Sequence, residues 1–228
     1  MAKEIERVVF VPVIHTDPDS VETARQTVLE NRPDVVAVEL DRMRYHQLTN
    51  PEQYENLEPN MESGHSVNDL MNQIALLEKN LGQETGAKAG MEMLAAIEAG
   101  REVEAKIALV DRPIDRTAQA LAQVPLDEIY RLANLIPEAT EDIEDGKGGN
   151  LMDFLKEDGA VEDLLSNFRK EFPVLATVLI EQRDAFIAQA ILSIMNDVAG
   201  KIVAILGAGH IEGVKAQLNS LLEKDSAT

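Results

Sequence analysis

Lys201-Ile202-Val203-Ala204-Ile205-Leu206-Gly207-Ala208-Gly209-His210 is the stretch on which the fold turns. Ile202 to Leu206 is apolar without a break, whereas a half-buried strand would alternate. An unbroken run of this length, ended by glycine, predicts a strand covered on both faces, as in parallel sheets. The glycines let backbone pass close to a ligand. The terminal helix predicted over 211–223 then starts with its N-terminus aimed at the same place.

The same pattern recurs upstream. Val8 to Ile14 is a β-branched run that ends at His15, Val35 to Val38 ends at Glu39, and Ala105 to Val110 ends at Asp111-Arg112. Each reads as a strand buried on both faces. Pro12 is awkward in the first, because proline donates no ladder hydrogen bond. Between the strands lie helical segments. Asp17-Pro18-Asp19-Ser20 is a capped start for a helix over 21–30, and shorter or longer helices are predicted over 41–48, 67–80, 86–102, 113–122 and 125–137. Residues 140–150 are acidic and then glycine-rich, and predict a loop. Further helices are expected over 151–167 and 168–199, the latter interrupted near Pro173. The strand–helix alternation predicts an α/β fold. It would have a mostly parallel central sheet flanked by helices, in one domain over 1–228 with helical insertions near 50–84 and 124–199.

Composition narrows the function. The 228 residues hold 41 acidic against 21 basic side chains, a formal net charge of −20. That excludes phosphate-backbone binding, which depends on Lys and Arg, and an anionic membrane surface, so no nucleic-acid partner is expected. Such acidity suits either solubility or work in high salt, where self-repulsion is screened. With no cysteine, any metal must use imidazole and carboxylate ligands. Met1 to Arg7 is charged rather than signal-like, and no apolar run approaches the ~20 residues of a membrane helix. A cytoplasmic protein without a membrane segment is expected.

His15, Glu39, Asp111 and His210 each close a predicted strand at its carboxyl end, the edge where open parallel sheets bind ligands. Two imidazoles and a carboxylate form a recurrent catalytic metal set with a position left for water. Asp111 also reads as a partner of Arg112 or Arg116, or as support for a metal-bound histidine. His46 and His65 read as solvated surface residues, Met91 and Met93 as packing, and Arg183-Asp184 as a surface pair of little energetic weight. Gly207 to Gly213 departs from the dinucleotide fingerprint, because the third glycine comes one residue late and no ribose-binding strand follows.

The chain resembles the TraB/PrgY family of the Tiki, ChaN and erythromycin-esterase-like superfamily. The resemblance rests on Val13-Ile14-His15-Thr16, Pro33 to Asp41, Gly90-Met91-Glu92-Met93 with Ala95-Ala96-Ile97, Leu109 to Thr117, Glu181 to Asp184 and Val203 to Gly213. The family's second Gly-x-x-His motif is intact at Gly207–His210. In the first, Pro12 replaces glycine before His15. The resemblance implies a hydrolase, a peptidase like those linked to pheromone shutdown, using a divalent Mn, Co or Zn ion. It implies metal ligation and catalysis by His15, Glu39 and His210, with Glu39 either ligand or general base. Glu92, Arg116 and Arg183 would then bind substrate or orient the ligands, with Asp111 and Arg112 beside them. Only the soluble part of membrane-anchored archaeal relatives is matched. Two other readings stand beside the enzyme. One is a non-catalytic binder of a peptide or small molecule in the same crevice. The other is a homodimer joined through Phe172, Val174, Leu175, Val178, Leu179 and Ile180.

Overall fold

The computed structural model describes residues 5–54 and 67–225. His65 and most of the predicted irregular stretch before the third helix lie outside the described residues. Four strands, β1 (Val8–Val13), β2 (Val35–Val38), β3 (Lys106–Leu109) and β4 (Ile202–Gly207), form one parallel sheet in the order β1-β4-β2-β3. The expected α/β architecture is therefore present.

The sheet is covered on both sides because its central strands alternate two apolar faces. Val35, Ala37, Ile202, Ala204 and Leu206 turn toward α10 (Gln182–Asp197) and α11 (Ile211–Asp225), meeting Ile187, Ile191, Val214 and Leu218. Val36, Val38, Val203 and Ile205 turn toward α1 (Pro18–Asn31) and α4 (Met91–Glu102), meeting Ala24, Val28, Met93 and Ile97. Asp17 caps α1 by accepting the Ser20 N–H, with Pro18 in the first turn, where its missing donor costs nothing.

β1 departs from expectation. It is an edge strand, pairs only with β4, and exposes Pro12. An edge position leaves one side of the backbone without a ladder, which is why proline is tolerated there.

The remaining helices make a second layer beyond the sheet edge. They are α2 (Arg42–Thr49), α3 (Val67–Thr85), α5 (Ile114–Leu121), α6 (Leu126–Asp142), α7 (Gly148–Leu155), α8 (Ala160–Glu171) and α9 (Pro173–Ala176). A third core gathers Leu70, Leu121, Ile129, Ile136, Phe172, Leu175 and Val178. The apolar residues read as a dimer face are thus largely spent inside the chain. Phe172, Leu175, Val178 and Ile180 are buried, while Val174 is exposed.

Helix boundaries differ from the sequence reading for local reasons. α6 runs through Pro137 rather than stopping there. Burial of Ile129, Ala133 and Ile136 outweighs the ~3 kcal/mol that an internal proline costs. The predicted loop over 140–150 is mostly helical. A π-turn at Ile143–Lys147 joins α6 to α7, with Gly146 at φ 83° and Ile143 and Met152 buried as anchors. The predicted helix over 151–167 breaks at Gly159, φ 83°. A second π-turn, Thr177–Glu181, links α9 to α10. Among the described residues no helix is long and apolar enough to cross a membrane.

Candidate active site

The carboxyl edge of the sheet gathers four side chains, each one to three residues beyond its strand. Gly207 lies between three of them. A Cβ built on it would stand 3.3 Å from Glu39 Oε2, 3.4 Å from His15 Nε2 and 3.6 Å from His210 Cδ2. A Cβ here would press on the Glu39 carboxylate and touch both imidazoles.

His15 is fixed from two sides. It occupies a tight turn closed by the Asp17 N–H donating to the Ile14 carbonyl. The next residue, Thr16, is buried at φ 66°, a conformation that a β-branched residue rarely adopts and that clusters at functional sites. The His15 Nδ1–H donates to Glu92 Oε1 at 2.6 Å, and Glu92 Oε2 accepts the Gly90 N–H at 3.1 Å. Glu92 is fully buried in the first turn of α4, whose N-cap is Gly90 at φ 89°. Burial alone would lower the His15 pKa. The Glu92 hydrogen bond and the charges of Glu39, Glu92 and Glu78 outweigh it, so the imidazole is held above its ordinary value.

His210 repeats the arrangement in a 3-10 turn after β4. Its Nδ1–H donates to Asp184 Oδ1 at 2.6 Å, and both residues are buried. Asp184 reaches this point because position 213 is glycine. A Cβ there would overlap the Asp184 carboxylate. The expected surface pair Arg183–Asp184 is therefore replaced by two separate buried contacts. Successive residues on a helix cannot face each other, so Asp184 turns to His210 while Arg183 turns to the acids.

Arg183 stands at the centre. Its Nε and Nη2 donate to Asp111 Oδ1 and Oδ2 at 3.0 and 2.8 Å, and Nη2 also donates to Glu39 Oε1 at 2.6 Å. Nη1 donates to His210 Nε2 at 3.2 Å and to the Leu179 carbonyl in the π-turn at 3.4 Å. The Arg112 guanidinium takes a second carbonyl of that turn, Val178, and also binds Thr117 and Gln182. Asp111 thus pairs with neither the Arg112 nor the Arg116 side chain, although it accepts the Arg112 N–H. Glu39 Oε2 accepts the Gly207 N–H at 2.6 Å. Burial opposes the Glu39 charge, but His210, Arg183, His15 and the Gly207 N–H prevail and hold the carboxyl down at about 2.

Of the residues singled out in the sequence, His15, Glu39, Glu92, Asp111, Arg183 and His210 converge, with Arg112 alongside. Arg116 is exposed on α5 and lines none of the pockets at this edge. His46 is exposed and meets Tyr54. Met93 is core, as expected, and Met91 is exposed. Sequence reading missed Arg44 and Glu78, which line the site from α2 and α3. It also missed the partner role of Asp184. Only for Asp184 was there a signal, its place beside an arginine it could not face.

The whole chain matches one known pattern: the model of the TraB/PrgY/gumN family covers residues 3–227. The chain belongs to the TraB/PrgY/gumN family. An uncharacterized protein of Methanocaldococcus jannaschii is 28% identical over 93% of this chain and 53% of its own length. TraB domain-containing proteins of Bos taurus and Homo sapiens are 26% and 25% identical over 94% of the chain and 63% of theirs. The chain therefore spans between about half and two thirds of these TraB-family relatives.

The donor chemistry of the site suits a divalent metal. Metal-binding histidines characteristically donate their other ring N–H to a carboxylate, and both imidazoles here do so to a buried one. The donors stand apart in this arrangement, with the Arg183 guanidinium among them. Among the described residues no three His, Asp or Glu side chains are grouped closely enough to hold an ion.

Proposed function

We propose that this TraB-family chain is a metal-dependent hydrolase acting on peptides. The observation that carries the reading is the pair of carboxylate-backed imidazoles, His15–Glu92 and His210–Asp184, flanking Glu39 at one pocket of about 290 Å³. His15 Nε2, His210 Nε2 and Glu39 are the groups that would hold the ion, Mn, Co or Zn, which when bound supplies carbonyl polarisation and an acidified water.

The chain's own residues divide the remaining work. Glu39, held at about 2, is a poor proton acceptor at neutral pH and serves by its charge rather than as a base. Glu78 lines the same pocket and, among the described residues, has no hydrogen-bond partner. It is the carboxylate free to accept a proton from water. Arg183 holds Glu39 in place through Nη2. Leu155 and Val161, from α7 and the start of α8, give the pocket an apolar side.

The test is peptide cleavage and metal content of wild type, His210→Ala and Glu78→Gln. His210→Ala should lose both metal and activity. Glu78→Gln should keep metal and lose about 10²- to 10⁴-fold in kcat, the range of general-base contributions. Equal metal content and equal activity in wild type and His210→Ala would remove the reading.

A further inference from the structure

A second pocket, about 470 Å³, adjoins the first and shares Arg44, Glu78 and Arg183 with it as a common wall. Its floor is apolar: Leu48, Met71, Ile74, Ile114 and Leu179 line it. The charges around it are unequally committed. Arg183 is bound by Glu39 and Asp111, and Arg112 by Thr117, Gln182 and the Val178 carbonyl. Asp111 is neutralised by Arg183, and Asp41 Oδ1 caps α2 through the Met43 and Arg44 N–H groups. Asp41 Oδ2 is shut away from the surface without a partner.

Arg44 differs from the other two guanidiniums on these walls. It is half-buried, and among the described residues its side chain makes no hydrogen bond or ion pair. In a protein with twice as many acids as bases, an unpaired guanidinium at the junction of two pockets is a candidate anchor for an anion. Glu78 on the same wall does not fill it. The two side chains do not pair, and the Glu78 charge acts instead on His15. Arginine presents a planar fork of donors that matches a carboxylate two bonds at a time.

We propose that Arg44 anchors a substrate carboxylate, so that the site takes peptides ending in a free α-carboxylate beside an apolar side chain. The apolar side chain enters the second pocket, the carboxylate stops at Arg44 on the shared wall, and the amide bond before it faces His15, Glu39 and His210. The cleavage this implies rests on the hydrolase reading above; the binding does not.

The experiment compares N-acetyl peptides ending in leucine, as free acids and as C-terminal amides, in wild type, Arg44→Gln and Arg44→Lys. Wild type should favour the acid by about 10- to 100-fold in kcat/KM, carried mainly by KM, as expected for a charge-assisted contact. Arg44→Gln should lose that preference for the acid over the amide, and Arg44→Lys should recover part of it. Among the described residues the Arg44 side chain makes no hydrogen bond or ion pair, so both variants should melt close to wild type. Binding of N-acetyl-leucine and N-acetyl-leucinamide to His15→Ala, measured by calorimetry, reads the anchor without turnover. Acid and amide treated alike by wild type, or Arg44→Gln unchanged toward the acid, would overturn the proposal. Tight binding of N-acetyl-leucine that requires Arg44, with no cleavage of any peptide, would uphold the anchor and sink the hydrolase.

Discussion

Arg183 has more partners than any other side chain at the sheet edge. It neutralises two buried carboxylates, contacts an imidazole and takes a backbone carbonyl. Replacing it with glutamine leaves Asp111 buried without its cation and strips Glu39 of its closest one. That should cost about 3–5 kcal/mol in urea unfolding, the usual result of breaking a buried pair from one side. Arg183→Lys should not restore it, since a single ammonium cannot serve Asp111 through two parallel bonds and reach Glu39 as well. The titrations run in opposite directions. Glu39 is held at about 2 against 4.5, so its contribution is present above about 4.5 and fades as pH falls toward 2. His15 is raised above 6.5. Its contribution is complete below about 6.5 and fades as pH rises through the higher folded value. In metal-free protein, NMR titration of the His15 ring should therefore show a pKa above 6.5 that drops in Glu92→Gln. An unchanged value there would show that Glu92 does not set it.

At the scale of elements, α10 and α11 place Asp184 against His210 through the absence of a side chain at Gly213. Gly213→Ala should push the carboxylate away. The expected stability loss is about 1–3 kcal/mol, the range for overpacking a filled site, and the expected loss of activity exceeds what the unfolded fraction explains. Activity that tracks the folded fraction alone would mean that Asp184 does not position His210. The elements also mark the boundary of what the sequence made legible. β2, β4 and the ends that carry Glu39 and His210 were readable, because their apolar runs are too short for a helix, rich in β-branched residues and bounded by turn residues. Asp111 and Arg183 were recognisable as polar site residues, but their mutual pairing was not, since it depends on how α10 is turned against β3. That turn is set by the Thr177–Glu181 π-turn, an extra-wide coil with no sequence signature of its own. Glu78 and Arg44 were silent for a similar reason. Each is an ordinary charged residue on a helix, and only the docking of α3 and α2 beside the sheet edge gives it a role.

For the whole molecule the dominant quantity is charge. A net −20 on 228 residues repels itself at low ionic strength, and raising salt from about 0.01 M to about 1 M shortens the screening length from ~30 Å to ~3 Å. The denaturation temperature should rise over that range, as followed by calorimetry. A flat or falling curve would mean that local pairs such as Lys156 with Asp17 and Asp19 outweigh the global repulsion.

The strand order has a consequence for how the protein is made. β4 lies between β1 and β2, with Val8 and Val35 both in register with Ile202. The ribosome thus delivers the middle of the sheet after the two strands it must join, and until then those strands have no shared neighbour. Non-local closure of this kind is slow and leaves apolar faces open during synthesis, so the nascent chain should lean on chaperones. The same arrangement makes the site a late product of synthesis. A chain that stops before residue 202 carries His15 and Glu39 but lacks β4 and His210, so the sheet-edge cluster cannot assemble until synthesis is nearly complete.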